Sequence, residues 1–90
     1  MKESITFKDI TDKCVKVYEV KNADYGNSTT KTYELFGDVS YATRLNDKIN
    51  RVNNLLKNGN QAVNDESIDD TILDIANYCI LWLVDRINNN

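Results

Sequence analysis

The stretch that decides the fold is DESIDDTILDIANYCILWLVDR, residues 65–86. At 100° per residue, a helix through this stretch gathers acidic and amide side chains on one face. That face consists of Glu66, Asp70, Asp74 and Asn77. The opposite face is apolar and predicts a helix that packs against the core. It consists of Ile68, Ile72, Ile75, Ala76, Cys79 and Leu83. Because acids at i, i+4 and i+8 repel one another, we expect a bound cation or basic groups on a neighbouring helix to compensate them.

The end of the same helix is apolar on every side. Residues 79–84, CILWLV, are six consecutive non-polar residues, and a turn that is apolar all round must be buried on all sides. A 90-residue chain with three helices has too little material to cover it. We therefore expect a homodimer that packs through residues 79–84. The run is far below the roughly 20 residues that a membrane span needs, so no membrane association is expected.

Composition excludes several classes of function. Residues 1–90 form one domain by length, and a net charge of −3 argues against nonspecific binding to nucleic acid. Without histidine, the chain has neither a Ser–His–Asp triad nor His-ligated zinc. Cys14 and Cys79 lie on apolar faces and are predicted to be reduced core residues of a cytoplasmic protein. The N-terminus has no apolar run of the kind found in signal peptides.

The chain has no proline and only three glycines, which favours an all-α fold of three main helices. The first predicted helix covers residues 6–23, with Thr6 as its cap and Asp9 in its first turn. Residues 29–39 form either a short helix that ends at Gly37 or a loop that covers the core. The second helix covers residues 40–57, capped by Asp38 or Ser40, and the third begins at residue 64 or 65.

The second and third predicted helices form an antiparallel hairpin, and we expect dimerisation to complete the bundle. A basic stripe on the second helix, Arg44, Lys48 and Arg51, then faces the acidic face of the third. Two interpretations stay open. The charges are interhelical salt bridges that fix the register, worth about 0–1 kcal/mol each when exposed. Alternatively, they form a ligand site.

In the second interpretation the two sets of charges have complementary roles. Carboxylates at i and i+4 on a helix can share one Mg²⁺ through their oxygens. Lysine and arginine beside that ion can hold a polyphosphate, and a metal-activated water can cleave a phosphoanhydride bond. This interpretation makes the protein a candidate Mg²⁺-dependent hydrolase of nucleotides, although acid-rich helix faces are common.

An ordered set of residues resembles the nucleotide modification associated domain 1 (DUF1599) family of phages and bacteria over residues 10–84. The set is Cys14, Lys21, Asp24, Tyr25, Gly26, Ser28, Arg44, Leu45, Asp47, Lys48, Arg51, Asp65, Glu66, Asp70, Thr71, Asp74, Asn77 and Tyr78. That family is similar in layout to the all-α NTP pyrophosphatases of the MazG and dimeric dUTPase kind. The resemblance implies a dimeric helical bundle that binds Mg²⁺ through acids on its helices and splits nucleoside triphosphates to monophosphate and pyrophosphate.

The resemblance places Glu66, Asp70 and Asp74 at the superfamily's second acidic motif, where they either hold Mg²⁺ or order the basic pair. The ligand-site interpretation supplies the other roles. The phosphate-binding residues are Lys48 and Arg51, with Arg44 and Lys21 as second candidates. The residues expected to contact base or sugar are Tyr25 and Asn77. The superfamily's first acidic motif, a glutamate pair, is absent, because the second helix carries Asp47, Lys48 and Arg51 there. Nucleotide binding without hydrolysis therefore stays open beside a pyrophosphatase-like activity.

The leading expectation is thus a phage-type, cytoplasmic, nucleotide-binding homodimer. The alternative is a non-enzymatic phage interaction protein that inhibits a host defence or regulatory protein, as anti-CRISPR proteins do, through its acidic surface. A third interpretation is a helical dimer whose charges are purely structural.

Overall fold

The structure, a computed structural model, describes residues 4–25, 27–58 and 61–90, with side chains except at 24–25 and 61–67. These ranges contain four helices and no strand. The helices are α1 (Phe7–Tyr25), α2 (Ser28–Phe36), α3 (Asp38–Asn58) and α4 (Gln61–Asn88). The prediction of an all-α fold is confirmed. Over the described residues, none of these helices combines the length and apolarity needed to cross a membrane.

Two local signals in the sequence set helix boundaries as predicted. The Thr6 hydroxyl accepts the Asp9 backbone N–H at 3.2 Å, and the Asp9 carboxylate accepts the Thr6 N–H at 3.0 Å. This reciprocal pair is a capping box at the start of α1, and the bond from the Thr6 backbone lowers the pKa of Asp9. Gly37, with φ of +71°, ends α2 and donates its N–H to the Tyr33 carbonyl.

Three helix boundaries differ from those predicted. The short helix that the sequence allowed within residues 29–39 is confirmed as the nine-residue α2, which Gly37 ends, but it begins at Ser28 rather than at residue 29. The third predicted helix begins earlier than residue 64 or 65, since α4 starts at Gln61 and runs for 28 residues. The second begins at Asp38 rather than at residue 40, because Gly37 alone separates α2 from α3.

Helix α4 contacts each of the other three helices, and its contacts with α3 are the most extensive. Along the side-chain bonds between α3 and α4, the residue number rises on α3 as it falls on α4. Asp38 pairs with Arg86 at 2.6 Å, Tyr41 with Asp85 at 2.5 Å and Lys48 with Asp74 at 3.2 Å. The two longest helices are therefore antiparallel, and α1 and α2 pack against them.

A buried polar cluster ties three helices together near the end of α4. The Asp85 carboxylate, 4% exposed, accepts hydrogen bonds from the Tyr41 hydroxyl and, at 2.9 Å, from the Thr30 hydroxyl. The Tyr41 ring stacks on Trp82 with centroids 5.9 Å apart, and Trp82 Nε1 donates to Asp38 at 2.7 Å. Asp85 was not anticipated from the sequence, because a lone acid inside an apolar stretch usually lies at the surface.

Only part of the predicted apolar face of α4 packs within the chain, since Ile68, Ile75 and Ala76 are partly buried and the rest is exposed. Cys79 was predicted to be a core residue and is exposed, as are Ile72 at 52% and Leu83 at 58%. The face turned towards the other helices instead carries polar groups, among them the buried Thr71 and Asp85. The hydrogen-bond partners of Asp74 and Asp85 on this face lie on α1, α2 and α3, and these bonds hold it against those helices. Among the described residues, Cys14 and Tyr41 are the only buried apolar side chains.

Replacing Tyr41 with phenylalanine should destabilise the fold, because it leaves the buried Asp85 carboxylate with one hydrogen-bond donor fewer. We expect the free energy of unfolding to fall by about 1–3 kcal/mol in urea titrations followed by circular dichroism. Tyr18→Phe is the control, since Tyr18 is 40% exposed, and its effect should stay within about 0.5 kcal/mol. Equal effects of the two variants would show that the Tyr41–Asp85 bond contributes nothing.

The same bond predicts a specific loss of stability in alkali. Burial, followed by the hydrogen bond to Asp85, raises the pKa of Tyr41 to about 12, whereas the unfolded chain titrates near about 10. The unfolded state therefore loses its proton first, so the stabilising contribution of Tyr41 is complete below pH 10 and declines as pH rises towards 12. The difference in unfolding free energy between wild type and Tyr41→Phe should be constant below pH 10 and shrink above it. A difference that stays constant up to pH 12 would contradict the assignment.

Candidate functional site

A pocket of about 390 Å³ opens between the C-terminal part of α1, the start of α2 and the middle of α3 and α4. Its size is in the range of small-molecule sites. It is lined by Tyr18, Lys21, Asn22, Ser28, Thr29, Arg44, Asp74, Asn77, Tyr78 and Leu81. The lining combines cationic, amide, hydroxyl and aromatic side chains with a single carboxylate from Asp74 among the described residues.

Two lysines from different helices converge on the carboxylate of Asp74. Lys21 Nζ lies 2.8 Å from one oxygen and Lys48 Nζ lies 3.2 Å from the other. The side chains of Asp74 and Lys48 are 21% and 31% exposed, so this pair is partly desolvated, whereas that of Lys21 is 54% exposed. Burial raises the pKa of Asp74, but the hydrogen bonds from Lys21 and then Lys48 outweigh burial and hold the pKa below its usual value. Asp74 is therefore ionised at neutral pH.

The antiparallel register explains why these groups meet. Arg44 lies four residues before Lys48 on α3, and Tyr78 lies four residues after Asp74 on α4. Because the two helices are antiparallel, a step of one turn back along α3 and one turn forward along α4 leads from the Lys48–Asp74 pair to the Arg44–Tyr78 pair. The Arg44 guanidinium carbon indeed lies 5.9 Å from the centre of the Tyr78 ring, a cation–π distance.

Asn77 links the pocket to α1. Its Nδ2 donates to the backbone carbonyl of the buried Cys14 at 3.3 Å. Because Nδ2 is the donor in this bond, Oδ1, the acceptor atom of the amide, takes no part in it. Asn77 thus has a fixed amide orientation at the pocket wall.

The structure brings together only some of the residues that the sequence singled out. Lys21, Arg44, Asp74 and Asn77 line one pocket, and Lys48 bonds to Asp74. Arg51 lies elsewhere, in a shallow groove with Asp47, Asn50 and Asn54, and Asp70 is exposed. The side chains of Tyr25 and Glu66 lie outside the part of the chain that the structure describes.

Several lining residues were missed or given other roles. Tyr18 and Asn22 had no predicted role in a site, Thr29 was placed only in the segment 29–39, and Leu81 was predicted to pack against a second copy as part of residues 79–84. A periodicity signal was available. Residues 18, 21 and 22 share one helical face, as do residues 74, 77, 78 and 81, through spacings of three and four. The residues that share a helical face with Lys21 and with Asp74 therefore include most of the pocket lining.

Comparison with known families finds one that matches most of the chain. The family model described as nucleotide modification associated domain 1 matches residues 21–85, which is well over half of the chain. The chain belongs to this family. No curated protein and no solved structure is significantly similar to it. The match begins at Lys21 and ends at Asp85, so it contains every pocket residue except Tyr18.

The donor set of this nucleotide modification associated domain 1 protein bears on the predicted Mg²⁺ ion. Mg²⁺ needs near-octahedral oxygen ligands at about 2.1 Å, but both Asp74 oxygens accept hydrogen bonds from ammonium groups. The described residues contain no group of three acids or cysteines close enough to hold a metal ion. The Asp74 carboxylate therefore binds the two lysine ammonium groups in this structure. The binding of Mg²⁺ by Glu66, Asp70 and Asp74 stays a prediction.

Proposed function

We propose that this protein binds a nucleotide in the pocket between α1, α3 and α4. The observation that carries the proposal is the convergence of Lys21 and Lys48 on Asp74 at a pocket that Arg44 also lines. The family's description, which refers to nucleotide modification, supports the same class of ligand.

The cations of the pocket suit a phosphate group. Lysine ammonium and arginine guanidinium groups are the side chains that bind phosphate oxygens, through charge-assisted hydrogen bonds. The whole chain carries a net charge of −3, so a local surplus of positive charge is a specific feature of this pocket. Such a surplus attracts anionic ligands in spite of the net charge of the protein.

The remaining lining residues suit a base or sugar. Tyr18 and Tyr78 supply aromatic rings, on which a base can stack with about 1–3 kcal/mol per base in nucleic-acid complexes. Asn22 and Asn77 supply amides that can donate to and accept from the edge of a base. Ser28 and Thr29 add hydroxyl groups at the start of α2.

The finer predictions go beyond nucleotide binding. They are a Mg²⁺-dependent, pyrophosphatase-like hydrolysis of the MazG kind, a role linked to nucleotide modification, a phage origin and a cytoplasmic location. Each stays a prediction. Arg51, Tyr25 and Glu66 also keep their predicted roles, as phosphate ligand, base or sugar contact and metal ligand.

Isothermal titration with a panel of nucleotides in the presence of Mg²⁺ tests the proposal. We expect at least one nucleotide to bind, and Asp74→Ala to weaken its binding about tenfold, because the two lysines lose the acceptor that positions them. The matched control is Asp69→Ala, which removes the same charge from an exposed position of the same helix. The absence of binding by any nucleotide, or equal affinities of wild type and Asp74→Ala, would end the proposal.

We also propose that a second copy of the chain covers the apolar face of α4. Exposed apolar residues run along this helix, including Ile72, Ile80, Leu83, Val84 and Ile87. Because Cys14 and Tyr41 are the only buried apolar residues described, one chain buries too little apolar surface for stability. Within the predicted run 79–84, Leu81 lines the pocket and Trp82 stacks on Tyr41, so the exposed residues are Cys79, Ile80, Leu83 and Val84. Two antiparallel α3–α4 pairs packed through these exposed residues would form a helical bundle with a common core.

Placing a charge on this face should separate the copies. We expect wild type to sediment as a dimer in analytical ultracentrifugation, and Leu83→Asp to sediment as a monomer or to unfold. Asn53→Asp on α3 adds the same charge at an exposed polar position and should leave the dimer intact. A monomeric, stably folded wild-type protein at micromolar concentration would contradict the dimer.

A second candidate function is that of a non-enzymatic interaction protein that inhibits a host defence or regulatory protein. The observation that favours it is an exposed apolar corner where α2 meets α3, formed by Leu35 at 76%, Phe36 at 68% and Val39 at 65%. Exposed clusters of this kind mark protein-binding surfaces. In that function nucleotides do not bind, so the titration above separates the two candidates.

A further inference from the structure

The charges at the pocket are better matched to a bare phosphate group than to a metal–polyphosphate complex. Lys21, Arg44 and Asp74 line the pocket, and Lys48 adjoins it through its bond to Asp74. These four described groups carry three positive charges and one negative charge, a sum of +2. A phosphate monoester carries about −1.5 to −2 at pH 7. The two charges therefore balance without a metal ion.

We propose that the ligand of this pocket is a nucleoside monophosphate, whose phosphate is held directly by Lys21 and Lys48 with no metal ion between them. The inference deepens the proposed function and rests on it. The phosphate class follows from the charge balance, and the nucleoside follows from the tyrosines and amides that line the rest of the pocket. A triphosphate carries more negative charge than these groups balance, and enzymes normally bind it together with Mg²⁺.

Asp74 acts as a positioning residue in this arrangement. Two ammonium groups repel each other, and the shared carboxylate holds both of them within 3.2 Å of its oxygens. An ammonium has three N–H donors, so a lysine can hold a carboxylate and a phosphate oxygen at once. The same bonds to lysine make Asp74 a poor Mg²⁺ ligand, since a cation would have to displace two ammonium groups or lie beside them.

Titration of wild-type protein with nucleoside mono-, di- and triphosphates, each in EDTA and in Mg²⁺, tests the inference without any mutation. We expect a monophosphate to bind in EDTA, with an affinity that Mg²⁺ changes less than about threefold, and to bind more tightly than the corresponding triphosphate. Inorganic phosphate in EDTA should compete with it. The affinity should also fall as salt rises, because the contacts are ionic.

Substitutions then separate the lysines from the carboxylate. Lys21→Met and Lys48→Met should each weaken monophosphate binding in EDTA about ten- to a hundredfold, since each removes a charge-assisted hydrogen bond. The arginine replacement at either position should restore most of the affinity. Lys8→Met on α1 and Lys57→Met on α3 remove the same charge from exposed positions of the same helices and should have no effect.

Asp74→Asn distinguishes a positioning carboxylate from a metal ligand. It keeps an oxygen acceptor for a lysine and makes the pocket more positive, so binding of the monophosphate in EDTA should persist or tighten. If Asp74 instead binds a metal, Asp74→Asn should abolish binding in Mg²⁺. Thermal melts of each variant show whether it is folded.

The outcomes separate the inference from the proposed function. Nucleotide binding that occurs only with Mg²⁺, or a triphosphate preference, overturns the inference and leaves the proposed function standing. Monophosphate binding in EDTA that neither lysine substitution weakens also overturns it. The lack of binding by any nucleotide in both EDTA and Mg²⁺ overturns the proposed function and the inference with it.

Discussion

The structure depends on a polar inward face of α4, which carries two carboxylates that each join α4 to two other helices. Asp74 accepts from Lys21 on α1 and Lys48 on α3, and Asp85 accepts from Thr30 on α2 and Tyr41 on α3. The two carboxylates are eleven residues apart, about 16 Å along a helix. A buried carboxylate is stable only with donors in place, so these bonds fix which helices α4 packs against and which way it faces.

The two carboxylates differ in what holds them, and this difference separates structure from function. Asp85 is 4% exposed and bonds to two hydroxyl groups, which belong to side chains that pack in place. Asp74 is partly exposed, bonds to two flexible ammonium groups and borders the pocket. The hydroxyl groups that bond to Asp85 lie in a closed site, so no ligand can reach them. Lysines at the edge of a pocket can bind an incoming anion while they keep the carboxylate.

The sequence predicted the features that are decided locally, and it predicted the inward face of α4 poorly. Thr6 with Asp9, and Gly37, act through bonds to residues three or four positions away, so their roles can be read without the fold. Lys48 beside Asp74 followed from an antiparallel arrangement of two regular helices. The Lys21–Asp74 and Tyr41–Asp85 bonds link residues 53 and 44 positions apart, and no local pattern indicates them. Hydrophobic periodicity assigned Cys79 to the core of one chain, but Cys79 is exposed, as is Leu83, within the run 79–84 where a second copy was predicted to pack.

The exposed apolar side chains of α4 also bear on the site. Ile72, Ile80 and Leu83 stay exposed on this chain, while the carboxylates of the same helix bond to the neighbouring helices. Burying ionised Asp74 between two lysines costs desolvation that an apolar pair would avoid, and helix packing alone gives no return for it. Two lysines that are already gathered lose less freedom when an anion arrives. In the proposed function this cost in folding preorganises a cationic site, and the exposed apolar surface of α4 is the surface that the proposed second copy covers.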